Sequence, residues 1–158
     1  MKGICVRSEI NPLKKVLLHR PGKELLNLTP DTLGELLFDD IPFLKVAQEE
    51  HDAFAQILRD NGTEVAFLED LMTDVLSLNP KLVEPFLRQW LFEGNIKTRR
   101  WQDKCLEYLT SHFQGKALVE KTMEGITLKE MGDAARAYSL QDLVAPPDDL
   151  VVHPMPNL

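Results

Sequence analysis

The sequence predicts a mixed α/β fold in which a small α/β unit carries an inserted helical subdomain. Three observations lead there. Short apolar runs flank one strongly amphipathic helix over the first 70 residues, helical patterns then follow one another, and strand character returns near the end.

Taken in order, Cys5, Arg7 and Glu9 interleave with Val6, Ser8 and Ile10 ahead of Asn11-Pro12, which reads as a strand ending in a turn. Residues 15–20 are apolar in their middle and stopped by Pro21-Gly22, the mark of a short buried strand. From Phe43 onward, Phe43, Ala47, Phe54 and Leu58 recur at helical spacing with Val46 and Ile57 beside them, while Lys45, Gln48, Glu49, Asp52 and Gln56 take the other faces. Asp39, Asp40 and Pro42 mark the start of this helix, and Asn61-Gly62 supplies a left-handed stop. Residues 64–68 then read as a third strand, apolar on both faces as in a sheet covered on each side.

Beyond Asp70 the pattern is helical. Asn79-Pro80 marks one start, Pro85 is expected to kink or restart the next helix, Gly94 and Gly115 are stops, and Thr127-Leu128-Lys129-Glu130 is a capping box. Trp101, Cys105, Leu109 and Phe113 share one helical stripe, and Leu118, Val119 and Met123 form a weaker second one. Residues 1–70 are therefore read as the α/β unit and 71–143 as the helical insert. Residues 144–158 begin a further unit, with a strand at 150–153 after the turn-rich Ala145-Pro146-Pro147-Asp148-Asp149.

A chain of 158 residues, 44% hydrophobic, buries a core without disulfides or metal. Its formal charge of -7 argues against nucleic acid, because phosphate binding needs clustered Lys and Arg, and the pairs Lys14-Lys15 and Arg99-Arg100 are too sparse. No apolar run reaches membrane-spanning length and the first residues lack the apolar core of a secretory signal, so a cytoplasmic protein without membrane contact is expected. Cys5 and Cys105 stand in no metal or redox spacing and are expected to be buried reduced thiols. His19, His51, His112 and His153 share no ligand spacing, so no metal site is expected.

Without further context the residues show no catalytic motif: there is no phosphate loop, GxSxG elbow or HExxH. Asp39, Asp40, Glu49, Glu50 and Asp52 could in principle recognise a planar guanidinium, but helix capping and a solvated helix face is the preferred reading of all five.

Three stretches carry a resemblance: Val16-Leu17-Leu18-His19-Arg20-Pro21-Gly22, Leu36-Leu37-Phe38-Asp39-Asp40-Ile41-Pro42, and Pro154-Met155-Pro156-Asn157-Leu158. With Glu50-His51-Asp52-Ala53-Phe54 and Leu58-Arg59-Asp60-Asn61-Gly62 between them, the ordered set resembles the arginine deiminase family, within the guanidine-modifying superfamily. The resemblance implies a hydrolase of arginine catabolism that turns L-arginine into citrulline and ammonia without a cofactor. It also implies a fivefold α/β propeller, of which residues 1–70 are the first unit, and a helical insert that marks the deiminases within the superfamily.

In that family a cysteine attacks the guanidinium carbon, a histidine moves protons and two acids grip the nitrogens. All lie beyond the point where this sequence stops, so the resemblance implies a truncated, inactive N-terminal portion with no catalytic residue of its own. Two positions match substrate contacts. Leu37 offers a backbone carbonyl to the ammonium or is a core leucine, and Asn157 bonds the amino-acid end or is a turn residue after Pro156. Phe38, Asp39 and Asp40 are the expected site neighbourhood. The alternative reading is a non-catalytic interaction module, since an α/β unit outside its propeller exposes sheet edges that favour self-association or a complementary chain.

Overall fold

The computed structural model describes residues 6, 8–28, 30, 33, 34, 36, 38–132 and 150–155. It is a mixed α/β structure, mostly helical, with two small sheets. Strand β1 (Lys15–Leu18) pairs in parallel with β2 (Glu64–Phe67), Lys15 opposite Glu64 and Leu18 opposite Phe67. Parallel strands need a crossover. Here it comprises a 3-10 segment (Lys23–Asn27) and helix α1 (Leu44–Asp60), whose end is fixed by Gly62 at φ +81°.

Helix α1 starts differently from the sequence expectation. Its N-cap is Phe43, whose side chain cannot accept a hydrogen bond, while the Asp40 carboxylate accepts the N–H of Ile41 at 2.8 Å. The expected strand at 5–10 is likewise absent among its described residues. Val6 and Ile10 are exposed, and Ser8 Oγ accepts the Ile10 N–H at 3.3 Å, a local turn in place of a ladder. Nor is the sheet buried on both sides, since the strands are half-buried and Leu17 keeps 52% of its surface exposed.

Helix α2 (Leu68–Leu78) begins immediately after β2, and a 3-10 turn (Pro80–Leu82) leads into α3 (Val83–Glu93). Pro85 lies in the first turn of α3, where its missing N–H has no intrahelical partner to lose, so it neither kinks nor restarts the helix. Gly94 ends α3 as expected. Gly115 does not end α4 (Arg99–His112); at φ +56° it is the N-cap of α5 (Lys116–Glu124). Strand β3 (Ile126–Thr127) and helix α6 (Leu128–Met131) follow, with both halves of the Thr127/Glu130 capping box formed.

Strand β4 (Leu150–Val152) pairs antiparallel with β3 rather than with the β1–β2 sheet. The main core joins Leu87, Leu91, Cys105, Leu109, Leu118 and Ile126 with Val152, so the returning strand packs on the helices. Cys105 is fully buried as expected, and burial pushes its thiol up to about 11. Cys5 lies outside the described residues. Among the described residues, no helix is long and apolar enough to cross a membrane.

Candidate functional site

In open parallel sheets, ligands gather beyond the carboxyl ends of the strands. Leu18 and Phe67 end β1 and β2 side by side, and the chain places His19 just past one and Glu69 just past the other. His19 Nδ1 lies 3.2 Å from Glu69 Oε2, and its Nε2 lies 3.0 Å from Glu24 Oε1 in the 3-10 segment. All three are deeply buried, their side chains 7%, 4% and 7% exposed for His19, Glu24 and Glu69.

Carboxylates only accept, so an imidazolium with two N–H donors satisfies both neighbours. The hydrogen bond to Glu24 raises the His19 pKa above 6.5, and Glu69 adds to it against the opposing effect of burial. Burial pushes the Glu24 carboxyl up, but His19 and the backbone N–H of Gly22 outweigh it, leaving its pKa lowered.

The same stretch is tied to α1. Arg20 donates through Nε and Nη2 to the two Asp52 oxygens at 2.7 and 2.8 Å, a bidentate pair, and Gln48 Nε2 donates to the Pro21 carbonyl at 2.9 Å. Across from it stands α5, with a cleft of about 330 Å³ between them. Both α5 lysines are paired: Lys116 reaches Asp70 at 2.6 Å, and Lys121, 1% exposed, reaches Glu130 at 2.5 Å and Glu124 at 3.3 Å. Asn27 Nδ2 donates to the Glu124 carbonyl at 2.7 Å and closes one end. This arrangement can hold a loop and a proton, and the one described cysteine, Cys105, lies apart from it in the helical core.

Leu37 and Asn157, the two positions expected to contact substrate, lie outside the described residues. Of the expected neighbourhood, Phe38 is half-buried with its N–H donated to the Leu33 carbonyl at 2.9 Å, while Asp39 and Asp40 are exposed. At the other motif, Pro154 is buried and Met155 donates its N–H to the Met123 carbonyl at 2.8 Å. Among the described residues, no hydrogen bond or ion pair joins residues 38–40 to 154–155.

The residues that sequence reasoning missed are Glu24, Glu69 and Lys121. A signal existed for Glu69: two adjacent parallel strands each followed by a titratable residue place those residues together. Nothing local marks Glu24 or Lys121 as buried.

A family model described as arginine deiminase matches residues 34–158. An arginine deiminase of Treponema denticola is 51% identical over 158 residues, covering all of this chain and 38% of the relative. Those of Clostridium perfringens and Streptococcus equi subsp. zooepidemicus are 45% and 50% identical over 157 and 156 residues, again covering 38% of each relative. The His19 stretch precedes the family-model match but lies within the Treponema alignment, which spans the chain whole. The chain thus spans 38% of the length of these curated relatives, and over that span it belongs to the arginine deiminase family.

Proposed function

We propose that this chain is the N-terminal portion of an enzyme that hydrolyses L-arginine to L-citrulline and ammonia in the cytoplasm. The observation that carries the reading is the family match over residues 34–158, joined by 51% identity to an arginine deiminase across the whole chain. The nucleophilic cysteine, the proton-moving histidine and the two acids that grip the guanidinium come from polypeptide beyond this chain. The cysteine sulfur attacks the guanidinium carbon, ammonia leaves, and water releases citrulline, all without a cofactor.

In this reading residues 1–70 are the first unit of an α/β propeller, 71–143 the helical insert and 144–158 the start of the next unit. Half-buried strands in the β1–β2 pair support that reading, since a propeller supplies the missing cover. Leu37 contributes its backbone carbonyl, and Asn157 its amide, to the amino-acid end of arginine. The test is citrulline formation from arginine. The full-length protein forms it and the 158-residue chain alone does not; turnover by the verified short chain overturns the assignment of the catalytic residues, and none by the full-length protein overturns the function.

A second reading is favoured by one observation. Phe54 and Ile57 on α1 are 51% and 60% exposed, and Phe43 and Val46 are exposed as well, so the isolated chain offers an apolar face for self-association or for its complementary part.

A further inference from the structure

The His19 cluster draws on three elements, with His19 just past β1, Glu24 in the 3-10 segment and Glu69 in the first turn of α2. Glu69 stands 50 residues from His19 in sequence, so the full cluster exists only in the folded chain. We propose that it is a pH-sensitive lock of the α/β unit: the folded chain keeps a proton on His19, between two buried carboxylates, that the unfolded chain gives up more readily, so the unit loses stability as the medium turns alkaline. The lock goes beyond the proposed activity and is independent of it.

The count of donors makes the proton necessary. An imidazolium donates from both ring nitrogens, to Glu24 at 3.0 Å and to Glu69 at 3.2 Å, whereas a neutral ring donates from one and turns a lone pair on the other carboxylate. The three side chains are at most 7% exposed, so little water is at hand to replace the lost bond. Neighbouring charges do not replace it either. Of the groups on and beside α1, Arg20 is engaged by Asp52, and His51 has its own pKa lowered, by burial first. From α5, Lys116 is paired with Asp70 of α2, and Lys121 with Glu124 and Glu130, while Glu120 adds negative charge to the same cleft. Lys23, beside Glu24, is exposed.

The sign of the linkage follows. The hydrogen bond to Glu24 holds the His19 pKa above 6.5, so the lock contributes in full below 6.5 and is lost as pH rises through the raised value. Glu24 acts on the other side: with a pKa lowered from 4.5, its share is lost as pH falls through that lower value. The alkaline limb is therefore the signature of His19.

The experiment follows denaturant unfolding of the full-length protein and two variants from about pH 6 to about pH 9, with the His19 ring nitrogens read by NMR. In the wild type the midpoint falls on the alkaline side, the folding constant dropping by up to about tenfold per pH unit, the slope of a single proton. His19→Gln has the lower midpoint at the acid end, and its gap from the wild type narrows as pH rises. Glu69→Gln flattens the alkaline fall, because its amide donates to the neutral ring, and it decides the matter if His19→Gln fails to fold. Both His19 ring N–H groups persist above pH 6.5 in the wild type. A gap that stays constant with pH, an alkaline fall as steep in Glu69→Gln as in the wild type, or a His19 ring that titrates at or below 6.5 overturns the lock. Citrulline formation plays no part in these readings, so failure of the lock and failure of the proposed function are told apart.

Discussion

The backbone N–H of Met155 bonds the carbonyl of Met123 at 2.8 Å, which fastens the last described motif to the end of α5. Around it the chains approach closely enough to exclude a methyl group. Gly125 has φ +83° and ψ -174°, a region open essentially to glycine, and a Cβ there falls 2.5 Å from the Val152 carbonyl oxygen and 2.9 Å from the Pro154 nitrogen.

Gly125→Ala is therefore expected to destabilise by about 2–4 kcal/mol, through backbone strain and displacement of 152–154. Denaturant unfolding checks this, as a lower midpoint at unchanged slope. In the full-length protein the same substitution raises KM for arginine, because the displaced segment leads directly into Asn157.

Lys121 is the second sensitive point. Its buried ammonium is held by Glu130, whose other oxygen accepts the Thr127 N–H at 2.8 Å, so one carboxylate caps α6 and neutralises the lysine. Glu130→Ala is expected to cost about 2–3 kcal/mol by removing both, and Lys121→Met less, since it leaves no unpaired buried charge. Burial pushes the Glu130 carboxyl up, but Lys121 and Thr127 outweigh it and its pKa lies below 4.5. A depressed pKa gives stability that is present above 4.5 and lost as pH falls through the folded value. Acid titration of Glu130→Gln should accordingly show a shallower loss than the wild type.

The exposed α1 face gives a third expectation. Light scattering of the 158-residue chain should show mass rising with concentration, and Phe54→Lys with Ile57→Lys should bring it back toward the monomer. A wild-type monomer at all concentrations contradicts the second reading.

Much of the fold was legible because its signals are local. The α1 periodicity, the Gly62 and Gly94 stops and the Thr127 capping box each depend on a few neighbouring residues, and each stands where the pattern placed it. Gly115 misled because a glycine at positive φ serves either side of a helix boundary, and only the length of the tight connection from His112 to Lys116 decides which. The strand expected at 5–10 needed a distant partner that periodicity cannot see. The site was less legible for the same reason: His19 and Glu69 meet through strand register, Glu24 joins them from the 3-10 segment, and the pairing of β3 with β4 joins segments from either side of residues 133–149. Leu37 and Asn157 rested on resemblance rather than on pattern.

The most direct measurement replaces Asn157 by Ala in the full-length protein and compares kcat/KM for L-arginine with the wild type. Loss of a hydrogen bond to a charged end of the substrate predicts a fall of about 10- to 100-fold with the fold and stability retained. An unchanged kcat/KM would contradict the claim that this chain supplies a wall of the arginine pocket.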